Sequence, residues 1–301
     1  MNKSEMMSIK IGFIGLGTMG LPMAKRLIKA GYKLKVFDVS SIAMANINSN
    51  EAKLTSSPKE AAVGVDFCIT MLPESTHVEE VVLGNDGLIE SLKENSILIE
   101  MSTILPSVSL SIYKKLKSKN IKMIDAPVGR TPEDAIQGTL LIIAGGDKKN
   151  IEIAKPILHE MGDEIIHVGP ISSGIKMKLV NNYMSMVGMV MTAETLAFAN
   201  KLDINQETAV KIIQKTAAGK GQINVNFPKK VLAGDISPDF PLRMGLKDIS
   251  LALSLGSEVE MPLKLGSVSE EYFSYAAKSN RADYDCTAML HIIEEIAKNK
   301  N

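Results

Sequence analysis

Lys178, Asn181, Asn182 and Ser185 stand at i, i+3, i+4 and i+7. In a helix, that spacing puts one ammonium, two carboxamides and a hydroxyl on a single face. An ammonium so placed can polarise a carbonyl oxygen and then deliver a proton to it, beside amides that both donate and accept hydrogen bonds. The same groups could instead be solvated or cap a neighbouring loop. Met177, Leu179, Val180, Met184, Met186, Val187, Met189, Val190 and Met191 take the other directions, the pattern expected of a helix buried on most sides between two bodies of protein.

A second cation that could do chemistry is Arg130, in Ala126-Pro127-Val128-Gly129-Arg130-Thr131-Pro132. Its segment is irregular, with one glycine and two prolines, and a guanidinium there could clamp an oxyanion through paired donors. An ordinary surface arginine is the alternative.

A third group is Gly15-Leu16-Gly17-Thr18-Met19-Gly20, which follows the β-branched run 9–14 and precedes a helical stretch over 21–30 closed by Gly31. Strand, glycine turn and helix in that order fit a dinucleotide: Gly15 for the tight turn, Gly17 for close approach of a pyrophosphate, and Gly20 for helix–strand packing. A second strand over 33–37 ends in Asp38, about 20 residues past the glycines, where an acid binds the adenosine ribose hydroxyls. Asp38 can also serve as a turn or N-cap residue ahead of Ser40 and Ser41, and the two roles are compatible. No arginine follows Asp38 directly, and its carboxylate repels a 2′-phosphate, so NAD(H) is expected rather than NADP.

These groups need elements to hold them. Strand patterns continue over 66–72, 96–100, 121–125, 138–144 and 164–168, with helical stretches over 75–83, 106–119 and 148–161 between most of them. The expected fold is α/β, a doubly wound Rossmann-type domain over 1–168. Ligands of such sheets bind at the carboxyl ends of the strands, so Leu72-Pro73, Ser102-Thr103 and the loop after Asp125 should line cofactor and substrate. From 171 onward the strand signals stop, and helices are expected over 171–200, 205–217, 228–233, 245–257, 262–278 and 283–298. An all-helical domain over 169–301 follows. Ala217-Ala218-Gly219-Lys220-Gly221 is too glycine-rich for a helix interior and reads as a loop with Lys220 exposed.

Composition narrows the function. With 301 residues and 45% hydrophobic content the chain can bury more than one core. Lysine plus arginine and aspartate plus glutamate both number 34, so no overall positive field recruits nucleic acid or an anionic membrane. Cys68 and Cys286 are far apart and form no Cys-x-x-Cys pair, which argues against a disulfide framework or a zinc site and favours a reducing compartment. No apolar run reaches the roughly 20 residues of a membrane span, and residues 1–9 lack a signal-peptide pattern. A cytoplasmic enzyme acting on a small molecule is expected. A dinucleotide-binding protein without chemistry is the alternative of another class, and Lys178 with its two asparagines argues against it.

Together these pieces resemble the β-hydroxyacid dehydrogenase family, which includes 3-hydroxyisobutyrate dehydrogenases and the tartronate and succinic semialdehyde reductases. The likeness rests on 13–20, on Asp125-Ala126-Pro127-Val128, on Gly174 followed by Lys178-x-x-Asn181-Asn182, and on Lys247-Asp248, and it covers nearly the whole chain. Most members continue with Ser-Gly-Gly after Asp-Ala-Pro-Val. Gly129-Arg130-Thr131 here is instead similar to the sulfolactaldehyde-reducing branch, as are 181–185, 216–221 and 228–238.

The resemblance implies that Gly15, Gly17, Thr18, Met19, Gly20, Asp38, Leu72, Thr103 and Lys247 bind the cofactor. It implies Lys178 as the catalytic lysine, Arg130 as the sulfonate-binding arginine between Gly129 and Thr131, and Asn181, Asn182 and Ser185 with Ser102 around the substrate. The implied activity is NADH-dependent reduction of 3-sulfolactaldehyde to 2,3-dihydroxypropane-1-sulfonate in sulfoquinovose degradation, without a metal, by a homodimer or homotetramer. A carboxylated semialdehyde or 3-hydroxyisobutyrate is the alternative substrate.

Overall fold

A computed structural model describes residues 8–299 of the chain; the targeting argument from residues 1–9 concerns a stretch largely outside the described residues. Two compact units make up the chain, Met1–Met184 and Ser185–Asn301, and the division falls inside one long helix.

The first unit alternates strand and helix: β1 (Lys10–Ile14), α1 (Gly20–Ala30), β2 (Lys33–Phe37), α2 (Ser41–Ala45), β3 (Lys53–Leu54), α3 (Pro58–Ala62), β4 (Phe67–Thr70), α4 (Ser75–Leu83), β5 (Ile97–Glu100), α5 (Pro106–Lys117), β6 (Lys122–Asp125), β7 (Val128–Gly129), α6 (Pro132–Gln137), β8 (Leu140–Gly145), α7 (Lys148–Leu158) and β9 (Gly162–Gly169). One sheet runs β3-β2-β1-β4-β5-β6-β8-β7, and β9 pairs with β8. The strands from β3 to β6 are parallel, whereas β8 runs antiparallel to β6 and β7 and parallel to β9.

The alternation of side chains along each strand builds two cores. Ile97 and Ile99 of β5 join Ile11, Phe13 and Ile69 on one face, while Leu98 joins Ile14, Cys68 and Met123 on the other. Helices therefore cover both faces, as the near-continuous apolar strands require. The doubly wound α/β reading is borne out. Unforeseen were β3, β7, α2, α3 and α6, all too short for a hydrophobic period to register.

The long helix α8 (Ser173–Lys201) leads into the second unit, followed by α9 (Gln206–Lys215), α10 (Ala217–Lys220), α11 (Leu242–Glu258), α12 (Lys264–Lys278) and α13 (Met289–Lys298). Its own small core gathers Leu242, Ala276, Ala288 and Ile292. Three local expectations change. The stretch read as a loop at 217–221 contains the short α10. The helix expected over 228–233 is two 3₁₀ turns, Phe227–Lys229 and Val231–Ala233, because Pro228 withholds an N–H and Gly234 ends the second turn in the left-handed region, at φ 79°. Finally, α8 is not buried on most sides within the chain: only Gly174 and Ile175 are buried, and Val180, Tyr183 and Met189 are 62%, 73% and 65% exposed. Its apolar residues lie all round the cylinder, so no single stripe marks one side for covering.

Candidate active site

The glycine turn packs as its spacing requires. Gly15 sits at φ 97°, and a Cβ there would lie 2.2 Å from the Met71 carbonyl oxygen. A Cβ on Gly20 would lie 2.0 Å from the Gly15 carbonyl oxygen, whereas one on Gly17 would meet nothing within 4 Å. The turn is thus closed toward the sheet and open at Gly17. No side chain caps the N-terminus of α1, and no acid occupies its first turn, so its free N–H groups suit a pyrophosphate.

In front of the turn lies a cavity of about 640 Å³ lined by Gly15, Gly17, Thr18, Met19, Gly20, Asp38 and Leu72, with Val81 and Pro73 among the apolar walls. Asp38 receives the Leu16 N–H on Oδ2 at 2.6 Å and the Ser40 N–H on Oδ1 at 2.7 Å. The carboxylate braces the turn and holds Ser40, the N-cap residue of α2, while remaining on the cavity wall. Lysine and arginine are both missing from that wall, which carries His77 and Glu80 as its other titratable groups. These residues fit a dinucleotide bearing ribose hydroxyls.

At the next strand ends the polar groups are turned inward. Glu100, Thr70 and Ser102 are fully buried. The Thr70 hydroxyl donates to Glu100 Oε2 at 2.5 Å, the Ser102 N–H donates to Oε1 at 2.6 Å, and Ser102 Oγ accepts the Leu72 N–H at 2.9 Å. Ser102, expected at the substrate, braces the Leu72 backbone from below. Thr103 is exposed and lines a second cavity of about 370 Å³ with Pro73, Ser75, Leu105 and Leu179.

Asp125 ends β6 and is buried; burial pushes its carboxyl up, against the amides of Ile175 and Ser172 that hold it down. It accepts the Ser172 N–H at 2.6 Å and the Ile175 N–H at 2.8 Å. The start of α8 is pressed so close to the sheet that a Cβ on Gly174 would lie 2.3 Å from the Ile143 carbonyl oxygen. Lys178 follows within the first turns of α8, half-buried. Its ammonium makes no ion pair or hydrogen bond among the described residues, and burial lowers its pKa. Asn182 is half-buried and Asn181 exposed, with Asn181 Nδ2 3.4 Å from Asn182 Oδ1.

Gly129 is buried on β7, opposite Leu141. Arg130 follows at φ 75°, a left-handed conformation uncommon outside glycine. Its guanidinium donates to the Thr139 carbonyl and to Asp163 Oδ1 at 2.6 Å, and it lies 3.4 Å from Glu164 Oε2. The expected anion clamp thus rests on two carboxylates of β9. Thr131 caps α6 in a capping box with Asp134, its hydroxyl donating to the Asp134 carboxylate at 2.5 Å, so the structure gives Thr131 a helix-starting role.

The remaining expected site residues belong to the second unit. Ser185 is exposed on α8, and exposed Lys247 pairs with Asp248 at 2.9 Å. Among the described residues, no three or more His, Cys, Asp or Glu side chains gather where a metal ion could be held, and no helix is long and apolar enough to cross a membrane.

Residues 10–169 match the model of the NAD binding domain of 6-phosphogluconate dehydrogenase, and residues 172–293 match that of the NAD-binding region of NADP-dependent 3-hydroxyisobutyrate dehydrogenase. The chain belongs to the β-hydroxyacid dehydrogenase family. Within that family it is 40% identical, over 93% of its length and 94% of the relative's, to the 3-sulfolactaldehyde reductase of Escherichia coli (strain K12). The 2-(hydroxymethyl)glutarate dehydrogenase of Eubacterium barkeri is 32% identical, over 96% of each chain. A solved 3-hydroxyisobutyrate dehydrogenase of Mycobacterium tuberculosis, with L-serine, superposes with a TM-score of 0.66 at 26% identity, over 95% of this chain and 99% of that one. This β-hydroxyacid dehydrogenase is an NAD-dependent oxidoreductase.

Proposed function

We propose that the enzyme reduces 3-sulfolactaldehyde to 2,3-dihydroxypropane-1-sulfonate, the reaction of sulfoquinovose breakdown, in the cytoplasm. NADH, when bound, supplies the hydride that the aldehyde carbon receives. The glycine turn and the open N-terminus of α1 hold its pyrophosphate, and Asp38 takes the ribose hydroxyls with the Oδ lone pairs left beside Leu16 and Ser40. A cavity wall bearing Asp38 and no lysine or arginine supports NADH over NADPH.

The observation that carries the chemistry is the free, half-buried Lys178 ammonium. Its charge polarises the carbonyl oxygen, and its proton goes to that oxygen as the carbon is reduced, leaving a neutral amine to be reprotonated from water. A pKa lowered by burial brings the proton nearer to transfer at neutral pH. Asn181, Asn182 and Ser185 extend the same helix face as donors and acceptors for the substrate hydroxyl.

For the substrate, support comes from the greater identity to the sulfolactaldehyde reductase than to the hydroxymethylglutarate enzyme; Arg130 would bind the sulfonate by exchanging its present partners Asp163 and Glu164 for it. A sulfonate stays ionised and presents three oxygens to a guanidinium. Carboxylated semialdehydes remain the second reading, favoured by the 32% relative whose named substrate is a dicarboxylate. Arg130→Ala is expected to raise the KM for 3-sulfolactaldehyde by at least about tenfold and leave the KM for NADH alone; equal kinetics would remove Arg130 from the site. The exposed apolar surface of α8 supports a homodimer or homotetramer, to be read from the mass of the protein in solution.

A further inference from the structure

The buried web of Thr70, Glu100 and Ser102 is left unused by the proposed chemistry. It reaches the cofactor cavity in two steps. Ser102 Oγ holds the Leu72 N–H, and Leu72 and Met71 line the cavity together with the glycine turn. The turn in turn sits directly against this backbone, since a Cβ on Gly15 would come within 2.2 Å of the Met71 carbonyl oxygen and 3.0 Å of a Leu72 methyl. A shift of Leu72 therefore moves the surface on which the turn rests.

We propose that Glu100 is a positioning residue for the dinucleotide: as a carboxylate it holds Ser102, and through Ser102 the Leu72 backbone that backs the glycine turn. It rests on dinucleotide binding by the turn and is independent of the substrate. The carboxylate form is required because the hydroxyl of Thr70 and the amide of Ser102 both donate into Glu100. A protonated carboxyl carries a donor of its own and loses acceptor capacity.

The arrangement is balanced near neutral pH. Burial, with the charge of Asp125, pushes Glu100 up against the hydrogen bonds from Ser102 and Thr70, which hold it down, and the balance stands at about 7. Asp125 is its register partner on β6, and the thiol of Cys68 on β4, kept neutral by burial, is the other titratable group that bears on it. Neither supplies a compensating positive charge. Raising the pH through neutrality therefore charges Glu100, strengthens the two hydrogen bonds it accepts from Thr70 and Ser102 and favours the dinucleotide, while the buried charge itself costs fold stability.

The test is the dissociation constant of NADH, from fluorescence titration between about pH 6 and pH 8.5, for the wild type, Glu100→Gln and Ser102→Ala. Taking ratios of variant to wild type removes whatever the variants share with it. For Glu100→Gln the ratio is expected to be near one at the acidic end and to climb about five- to tenfold at the alkaline end. Ser102→Ala, which keeps the carboxyl and cuts its link to Leu72, should show the same climb. A ratio that stays constant with pH in Glu100→Gln would overturn the proposal, since loss of packing alone does not follow a titration. If Glu100→Gln fails to fold, a pH-independent ratio for Ser102→Ala overturns it.

Discussion

The Asp125 carboxylate accepts hydrogen bonds from the Ser172 and Ile175 N–H groups, at 2.6 and 2.8 Å, and so fastens the carboxyl end of β6 to the first turn of α8. Asp125 is a conventional acid at a helix N-terminus, satisfying orphan N–H groups and complementing the dipole. It is also the joint between the cofactor-binding sheet and the helix that carries Lys178. Asp125→Ala leaves two buried amides without acceptors and is expected to destabilise the protein by about 2–5 kcal/mol. Denaturant unfolding measures this, and a change within about 0.5 kcal/mol, the usual range for surface substitutions, would contradict the role.

Lys178 is the proposed proton donor. Lys178→Met keeps most of the side chain's volume and removes the charge. Its kcat should fall about 10²- to 10⁴-fold, with the NADH dissociation constant unchanged. Near-normal turnover in a folded variant would leave the helix face without its proposed chemistry.

Asp38 has two roles in one side chain, bracing Leu16 and facing the cofactor cavity. Asp38→Ala should weaken NADH binding at least about tenfold, the loss expected for hydrogen bonds to a charged group. The preference for NADH over NADPH should narrow, because the repulsion of a 2′-phosphate is gone. Unchanged affinities for both dinucleotides would place Asp38 outside the site.

Glu100 also predicts how stability follows pH. Its carboxyl is raised from the ordinary value near 4.3 to about 7 in the folded chain. A raised pKa means that the stability linked to this group is fully present below about pH 4.3 and is lost as pH rises through about 7. Removing the titration in Glu100→Gln should therefore improve melting temperature relative to wild type more at pH 8 than at pH 5. The differential is on the order of 3 kcal/mol at most. A difference independent of pH, or one larger at pH 5, would contradict the assignment.

How far the chain could be read from its letters depends on the range of the interaction. The glycine turn, Asp38 and the strand ends were legible because one local pattern encodes each of them. The roles of Asp125 and Glu100 were not, since their partners lie on other strands or on a helix about 50 residues away, as Ile175 does from Asp125. Arg130 stood out as a cation in an irregular loop, but its partners Asp163 and Glu164 come from β9, brought alongside only by the pairing of β8 with β9. Thr131 was read as a substrate contact where the Thr-x-x-Asp spacing signals a capping box, a sign present in the sequence and missed. The apolar residues of α8 were read as buried, but hydrophobicity all round a helix states only that cover is needed and does not name what supplies it.

The most direct test compares kcat/KM with NADH for 3-sulfolactaldehyde, succinic semialdehyde and methylmalonate semialdehyde under one set of conditions. A preference for the sulfonate of about a hundredfold, roughly 2.7 kcal/mol of transition-state discrimination, is predicted. Equal or reversed preference would contradict the sulfonate assignment and return the substrate to the carboxylated semialdehydes.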